Sequence, residues 1–183
     1  MKRRLNWYFM FSLIILLALT MNACNLNNDK DIIFIRHHLD DYSASTEPFE
    51  EGMAFTLTTD EIVEGVEEPR LLDTVYDTEV YLIKVEKRED RYVVEFGLDS
   101  ELKSNGTMVS LFRLNSDQSY SRDLEYEVVN EKGETADIAY GGGDSDAPYE
   151  QSYHFKIGGA EVKSGEQWTF KLSGVYLLDY SKK

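Results

Sequence analysis

The sequence predicts an all-β fold: an antiparallel β-sandwich of about eight or nine strands, with a short helix ahead of it. Three observations carry this. Short runs of alternating apolar and polar residues recur roughly every 8–12 residues, the spacing of sandwiches and barrels. Turn-forming pairs such as Asn105-Gly106, Lys132-Gly133 and Gly158-Gly159 separate the runs. No helical pattern of about ten residues lies between consecutive strands, which disfavours a parallel βαβ sheet.

Residues 31–45 hold Ile32, Ile35, Leu39 and Tyr42 at helical spacing, whereas Ile32-Ile33-Phe34-Ile35 also suits a strand. A short helix is the reading taken. Residues 46–52, acidic and interrupted by Pro48, read as loop. From Met53 the period becomes two: Met53, Phe55 and Leu57 alternate with Ala54, Thr56 and Thr58. Residues 60–70 are acidic and broken by Gly65 and Pro69, and read as loop. Residues 78–87 form a strand with Tyr81, Ile83 and Val85 on one face. Glu89-Asp90 turns the chain into 91–98, with Tyr92, Val94, Phe96 and Leu98 in phase, so the two runs make one antiparallel hairpin.

Residues 107–114 place Met108, Phe112 and Leu114 together, and 117–122 are polar loop. Leu124, Tyr126 and Val128 alternate with Glu125 and Glu127, and Ala136, Ile138 and Tyr140 share a phase until Gly141-Gly142-Gly143 breaks it. Tyr153, Phe155 and Ile157 form the next strand, with His154 on its polar face. Trp168, Phe170 and Leu172 form another, with one dry and one wet face that put Trp168 in the interior. Residues 175–180 close the sheet. Tyr81, Tyr92, Tyr126, Tyr140 and Tyr153 are all in phase with aliphatic residues, which favours core packing over a sugar-stacking platform.

The N-terminus carries an address. Lys2, Arg3 and Arg4 precede an apolar run over residues 7–19, too short for the ~20 residues of a comfortable membrane span and suited to the ~7–15 of a secretory core. Small Ala23 precedes Cys24, the only cysteine. Met21-Asn22-Ala23-Cys24 resembles the lipobox of bacterial lipoproteins, with Met21 where Leu is commoner and polar Asn22 beside it. The resemblance implies cleavage before Cys24 and lipidation (palmitate among the acyl chains) of its thiol. The domain would then be exported and held on the outer face of the bacterial cell membrane. An uncleaved N-terminal anchor is the alternative. The expected layout is a signal peptide over 1–23, a tether over 24–31, a short helix or strand plus loop over 32–52, and the sandwich over 53–183.

The run of alternating strands, the Asn130-Glu131-Lys132-Gly133-Glu134 turn and the Gly165-Glu166-Gln167-Trp168 strand entry resemble small Ig-like domains of bacterial lipoproteins. That resemblance spans about residues 53–180 and implies an Ig-like sandwich.

Charge narrows the partners. The chain carries −15, and −18 without its first 23 residues, which hold three basic residues and no acid. Phosphate binding needs clustered Lys and Arg, so nucleic acid is excluded as a partner. Anionic lipid repels such a domain, which makes lipid on Cys24 a better anchor than a basic patch. An envelope protein or a glycan remains a permitted partner.

Chemistry is sparse. There is no Gly-x-Ser-x-Gly elbow and no His-Glu-x-x-His, and the three histidines, His37, His38 and His154, form no zinc spacing. The loop at 141–150 (GGGDSDAPYE) is the candidate cation site: Asp144, Asp146 and Glu150 are hard oxygen donors, and flexible glycines let carbonyls turn inward, as calcium requires. A solvated acidic hairpin is the competing reading. No other cofactor is expected. The function predicted is a non-catalytic, lipid-anchored binding or interaction module of the cell envelope. The alternative is an enzyme or glycan-binding protein acting on cell-wall polymer.

Overall fold

The structure is a computed structural model and describes residues 32–145 and 148–183. The expected signal peptide, tether and lipidated Cys24 lie outside the described residues, as does Asp146. The described residues form one compact unit, so the segment from Ile32 to Gly52 packs with the strands that follow it.

The fold is all-β, antiparallel and sandwich-like. Its thirteen strands among the described residues, two of them only two residues long, exceed the eight or nine expected. Helix α1 (Ile32–His37) leads into β1 (Tyr42–Pro48) and β2 (Met53–Thr58), followed by α2 (Thr59–Glu64) and β3 (Arg70–Val75). The long hairpin β4 (Thr78–Arg88) and β5 (Arg91–Ser100) comes next, then β6 (Asn105–Ser110), β7 (Arg113–Leu114) and β8 (Tyr120–Ser121). After β9 (Glu125–Asn130) come β10 (Ile138–Asp144), β11 (Gln151–Gly158), α3 (Gly159–Val162), β12 (Gln167–Ser173) and β13 (Tyr176–Lys182).

A five-stranded sheet, β10-β11-β5-β4-β3, packs on a three-stranded sheet, β2-β12-β9. Their aromatic side chains meet in the interior: Phe55 stacks on Phe96 at 5.7 Å, and Phe155 meets Phe170 edge-on at 5.3 Å. Trp168 is 2% exposed and its Nε1 donates to Val162 O at 3.1 Å. The alternation of Trp168, Phe170 and Leu172 thus faces the core, as the sequence requires. A third sheet, β1-β13-β6, gives Val109 and Leu177 to this core. Met108, Leu178 and Tyr180 join a second cluster with Ile32 and Ile35 of α1.

Several elements depart from the sequence expectation, each for a physical reason. Residues 42–48 are strand, where a helix followed by loop is expected. Their small and polar side chains hide the strand, which exists because β13 supplies a partner from Tyr42↔Lys182 to Pro48↔Tyr176. Residues 59–64 are helix, where loop is expected. Thr58 and Glu61 close a capping box: Glu61 N–H donates to Thr58 Oγ1 at 3.2 Å, and Thr58 N–H donates to Glu61 Oε2 at 2.9 Å. Leu71, Leu72 and Val75 lie in β3, for which the sequence reading assigns no element.

Tyr81, Ile83 and Val85 do not share a face. The β4–β5 register shifts between Leu82 and Lys84, a bulge that flips the phase. Val80 and Leu82 before it and Val85 after it are buried, and Tyr81 and Ile83 are half-buried on the outer face. Met108, Phe112 and Leu114 do not form one strand either: β6 ends at Ser110 and Leu114 belongs to the β7–β8 hairpin. That hairpin also puts Tyr120 and Ser121 of the expected 117–122 loop into strand.

The triple glycine does not break β10. Gly141, Gly142 and Gly143 pair with His154, Tyr153 and Ser152. The His154 ring lies over Gly141, where an added Cβ would stand 2.9 Å from Cε1, so a larger cross-strand neighbour supplies the cover that glycine lacks. Tyr140 is 57% exposed rather than core, stacked on half-buried Tyr126 at 4.3 Å. Tyr92 and Tyr153 are buried as expected.

Candidate functional site

The described carboxylates of the 141–150 segment, Asp144 and Glu150, are drawn into structure. Asp144 pairs with Arg36, whose side chain is 7% exposed and lies between Phe112 (4.7 Å) and Tyr120 (5.3 Å). Tyr120 OH donates to Arg36 O at 3.0 Å. This clasp holds α1 against the β7–β8 hairpin and the end of β10. Sequence reading misses it, because its parts are separated by as many as 108 positions. Glu150 is 6% exposed and accepts the Ser100 N–H with both oxygens, at 3.0 and 3.1 Å. Asp144 and Glu150 thus turn to different partners. Among the described residues no three His, Cys, Asp or Glu side chains group as metal ligands.

Glu150 belongs to a polar seam that joins β6 to the five-stranded sheet. Edge strand β6 would bury unpaired backbone groups where it meets that sheet, and such groups need partners. Thr107 N–H donates to Asp77 Oδ2 (3.1 Å), and Asp77 N–H donates to Thr107 O (3.0 Å). Val109 N–H donates to Thr78 Oγ1 (2.9 Å), and Gln151 Nε2 donates to Val109 O (3.1 Å). Leu111 N–H donates to Gln151 Oε1 (2.8 Å). Thr78 and Ser100 share a hydroxyl contact at 2.9 Å. Lys103 pairs with Asp77, holding its carboxyl below the usual range despite some burial. These polar groups serve the fold.

One surface open to a partner is a cleft of about 670 Å³ between two open strand edges. Strand β2 ends one sheet and β3 ends the other. The 49–52 loop lines one side of the cleft, and Tyr76 of the two-residue β3–β4 turn lines another. Phe49, Phe55 and Tyr76 supply apolar surface, and Glu50, Glu51 and Asp73 supply charge; no Lys or Arg lines it. Tyr76 is 62% exposed and sits at φ 53°, a left-handed conformation uncommon outside glycine. Leu71 of β3 is 48% exposed. Two of the four large apolar side chains most open to solvent among the described residues therefore lie on β3 or its turn. The sequence signal for this edge is the short run Leu71-Leu72 to Thr74-Val75 ahead of a tight turn.

The outer face of the five-stranded sheet offers a second surface. Tyr81 and Tyr149 rings stand 5.3 Å apart, and Tyr149 covers Gly97, where a Cβ would meet its ring at 2.6 Å. Tyr81 OH donates to Glu79 Oε2 at 2.5 Å, and this bond, with burial and the carboxylate's charge, pushes the phenol up to about 12.

Compared with known families, curated proteins and solved structures, the chain matches no family model, no curated protein and no solved structure.

Proposed function

We propose that this chain is an exported protein held at the cell envelope by lipid on Cys24, and that it works as a non-catalytic binding module through the cleft between β2 and β3. The observation that carries the binding face is the pairing of an open cleft with solvent-exposed Tyr76 and Leu71, two of the four most exposed large apolar side chains among the described residues. The Ala23-Cys24 junction after a cationic and then apolar run supports the anchor.

Two measurements test this. A photo-crosslinking side chain at Tyr76, in cells making the full chain, should give one discrete adduct that the same group at exposed Lys163 does not give. Cys24→Ser should release the chain from the membrane fraction or stall it as precursor. Equal crosslinking at both positions refutes the binding face, and a Ser variant processed and retained like wild type refutes the anchor.

A second reading is a glycan-binding platform on the outer face of the five-stranded sheet. Tyr81 and Tyr149 favour it, since paired rings beside carboxylates suit sugar stacking and hydroxyl recognition.

A further inference from the structure

We infer that the cleft takes an extended peptide segment bearing Lys or Arg, which adds to the open edge of β3 as a further strand; this rests on the binding-module reading above. The first ground is backbone geometry. Val75 pairs with Thr78 around the two-residue turn, and Thr74 pairs with Glu79. Hydrogen-bonded and non-bonded pairs alternate along an antiparallel ladder, and the pair that closes a two-residue turn is bonded. Thr74 therefore directs its N–H and C=O away from β4, toward the open edge. The Thr74 N–H donates to the neighbouring Asp73 Oδ1 at 2.8 Å. A local side-chain bond of this kind stands in for a ladder bond and yields to one. Strand edges are commonly guarded by charged side chains, above all Lys, by Pro or by a bulge, and here the β3 charge nearest the turn is Asp73, which a basic peptide would pair rather than avoid. Between Arg70 and Val75 there is no Lys or Pro, and the bulge between Leu71 and Asp73 leaves Asp73 to Val75 in regular register.

The second ground is charge. Glu50, Glu51 and Asp73 line the cleft, whose lining holds no Lys or Arg, on a chain of net −15. A cationic side chain entering the cleft meets these carboxylates and the exposed Tyr76 ring, which attracts cations through its face. Taking the Asp73 carboxylate would also free the Thr74 N–H for a peptide carbonyl. A neutral glycan carries no positive charge for these carboxylates to attract and no strand register to match the outward backbone groups, and a polyanion would be repelled.

The test uses the full chain in non-ionic micelles and fluorescein-labelled hexapeptides read by anisotropy. The probes are alternating Lys-Val, its Glu-Val counterpart, and Lys-Val with alternate backbone nitrogens methylated to block strand pairing. Lys-Val should bind, with the other two weaker by about tenfold or more, a loss of one or more ladder bonds or of charge attraction. Glu50→Lys with Glu51→Lys should weaken Lys-Val binding by about tenfold or more, whereas Glu89→Lys with Glu101→Lys, an equal charge change elsewhere, should not. Thr74→Pro, which removes the outward N–H at a position where an edge strand accepts proline, should weaken it similarly with an unchanged melting curve. Equal binding of the methylated peptide, or equal loss from both charge-reversed pairs, overturns the inference. So does cellohexaose binding in place of Lys-Val. If Lys-Val fails while the crosslink at Tyr76 persists, strand addition by a basic peptide falls and the binding module stands.

Discussion

Gln151 gives the sharpest test of how the sheets are joined. Its side chain is fully buried and bridges the backbone of β6, accepting from Leu111 N–H at 2.8 Å and donating to Val109 O at 3.1 Å. Gln151→Leu keeps the approximate volume and removes both partners. Each buried backbone group left without a bond costs about 1–3 kcal/mol, so the substitution should cost about 2–6 kcal/mol. That is a large share of the ~5–15 kcal/mol that holds a typical domain folded. Gln151→Glu tests the same geometry through pH. Ionised, the new carboxylate meets the Val109 carbonyl with no proton to donate. Protonated, its O–H can donate to Val109 O while its carbonyl accepts from Leu111 N–H. Burial raises the folded-state pKa of the new acid above its unfolded value of about 4.3. Its favourable contribution is thus fully present below the unfolded pKa and is lost as pH rises through the folded one. Urea unfolding followed by circular dichroism, from pH 4 to pH 8, reads both effects. A Gln151→Leu variant as stable as wild type, or a Gln151→Glu variant whose difference from wild type does not shrink on acidification, would refute this account of the seam.

Three further outcomes follow from the same structure. The Tyr153 hydroxyl is buried with no hydrogen-bond partner and its pKa is pushed up by burial, so Tyr153→Phe should stabilise the domain by about 1 kcal/mol in the same urea assay. Burial over Gly141, reinforced by nearby Lys156, lowers the His154 pKa. The unfolded chain then binds the extra proton, so His154 contributes stability above its unfolded pKa of about 6.5 that is lost as pH falls toward the folded value, and His154→Gln should flatten that part of the stability–pH curve. Asp144 is paired with Arg36 and Glu150 with Ser100, so millimolar calcium should leave the melting temperature unchanged; a rise abolished by Asp144→Asn with Asp146→Asn would restore the 141–150 segment as a cation site.

The sandwich was legible where one face of a strand is dry. Tyr92 to Leu98, Tyr153 to Ile157 and Trp168 to Leu172 alternate because one set of side chains meets the opposing sheet and the other meets water. What could not be read was structure imposed by partners distant in sequence. The phase flip after Leu82 depends on register with β5. Strand β1 has little hydrophobic signal of its own and exists through β13. The glycine strand persists because β11 pairs with it and His154 covers it. The α2 helix was readable in principle from Thr58-Thr59-Asp60-Glu61, a capping-box pattern masked by the acidic run around it. For the candidate sites, residue type was visible and commitment was not. Asp144 and Glu150 have the right oxygens for a cation, yet Arg36 and Ser100 reach them from far along the chain. The cleft is assembled from residues 48–55 and 73–76, whose proximity only the two-sheet arrangement creates.

Carboxyl footprinting measures cleft occupancy without knowledge of the partner. Carbodiimide-driven labelling, mapped by mass spectrometry, is compared between the full chain in the intact envelope and the purified full chain in micelles. Glu50, Glu51 and Asp73 should label less in the envelope, while exposed Asp117 and Glu101 label equally in both. Equal labelling at the cleft carboxylates, or protection centred instead on Glu79 and Asp99 beside the Tyr81–Tyr149 pair, would contradict the cleft as the binding face.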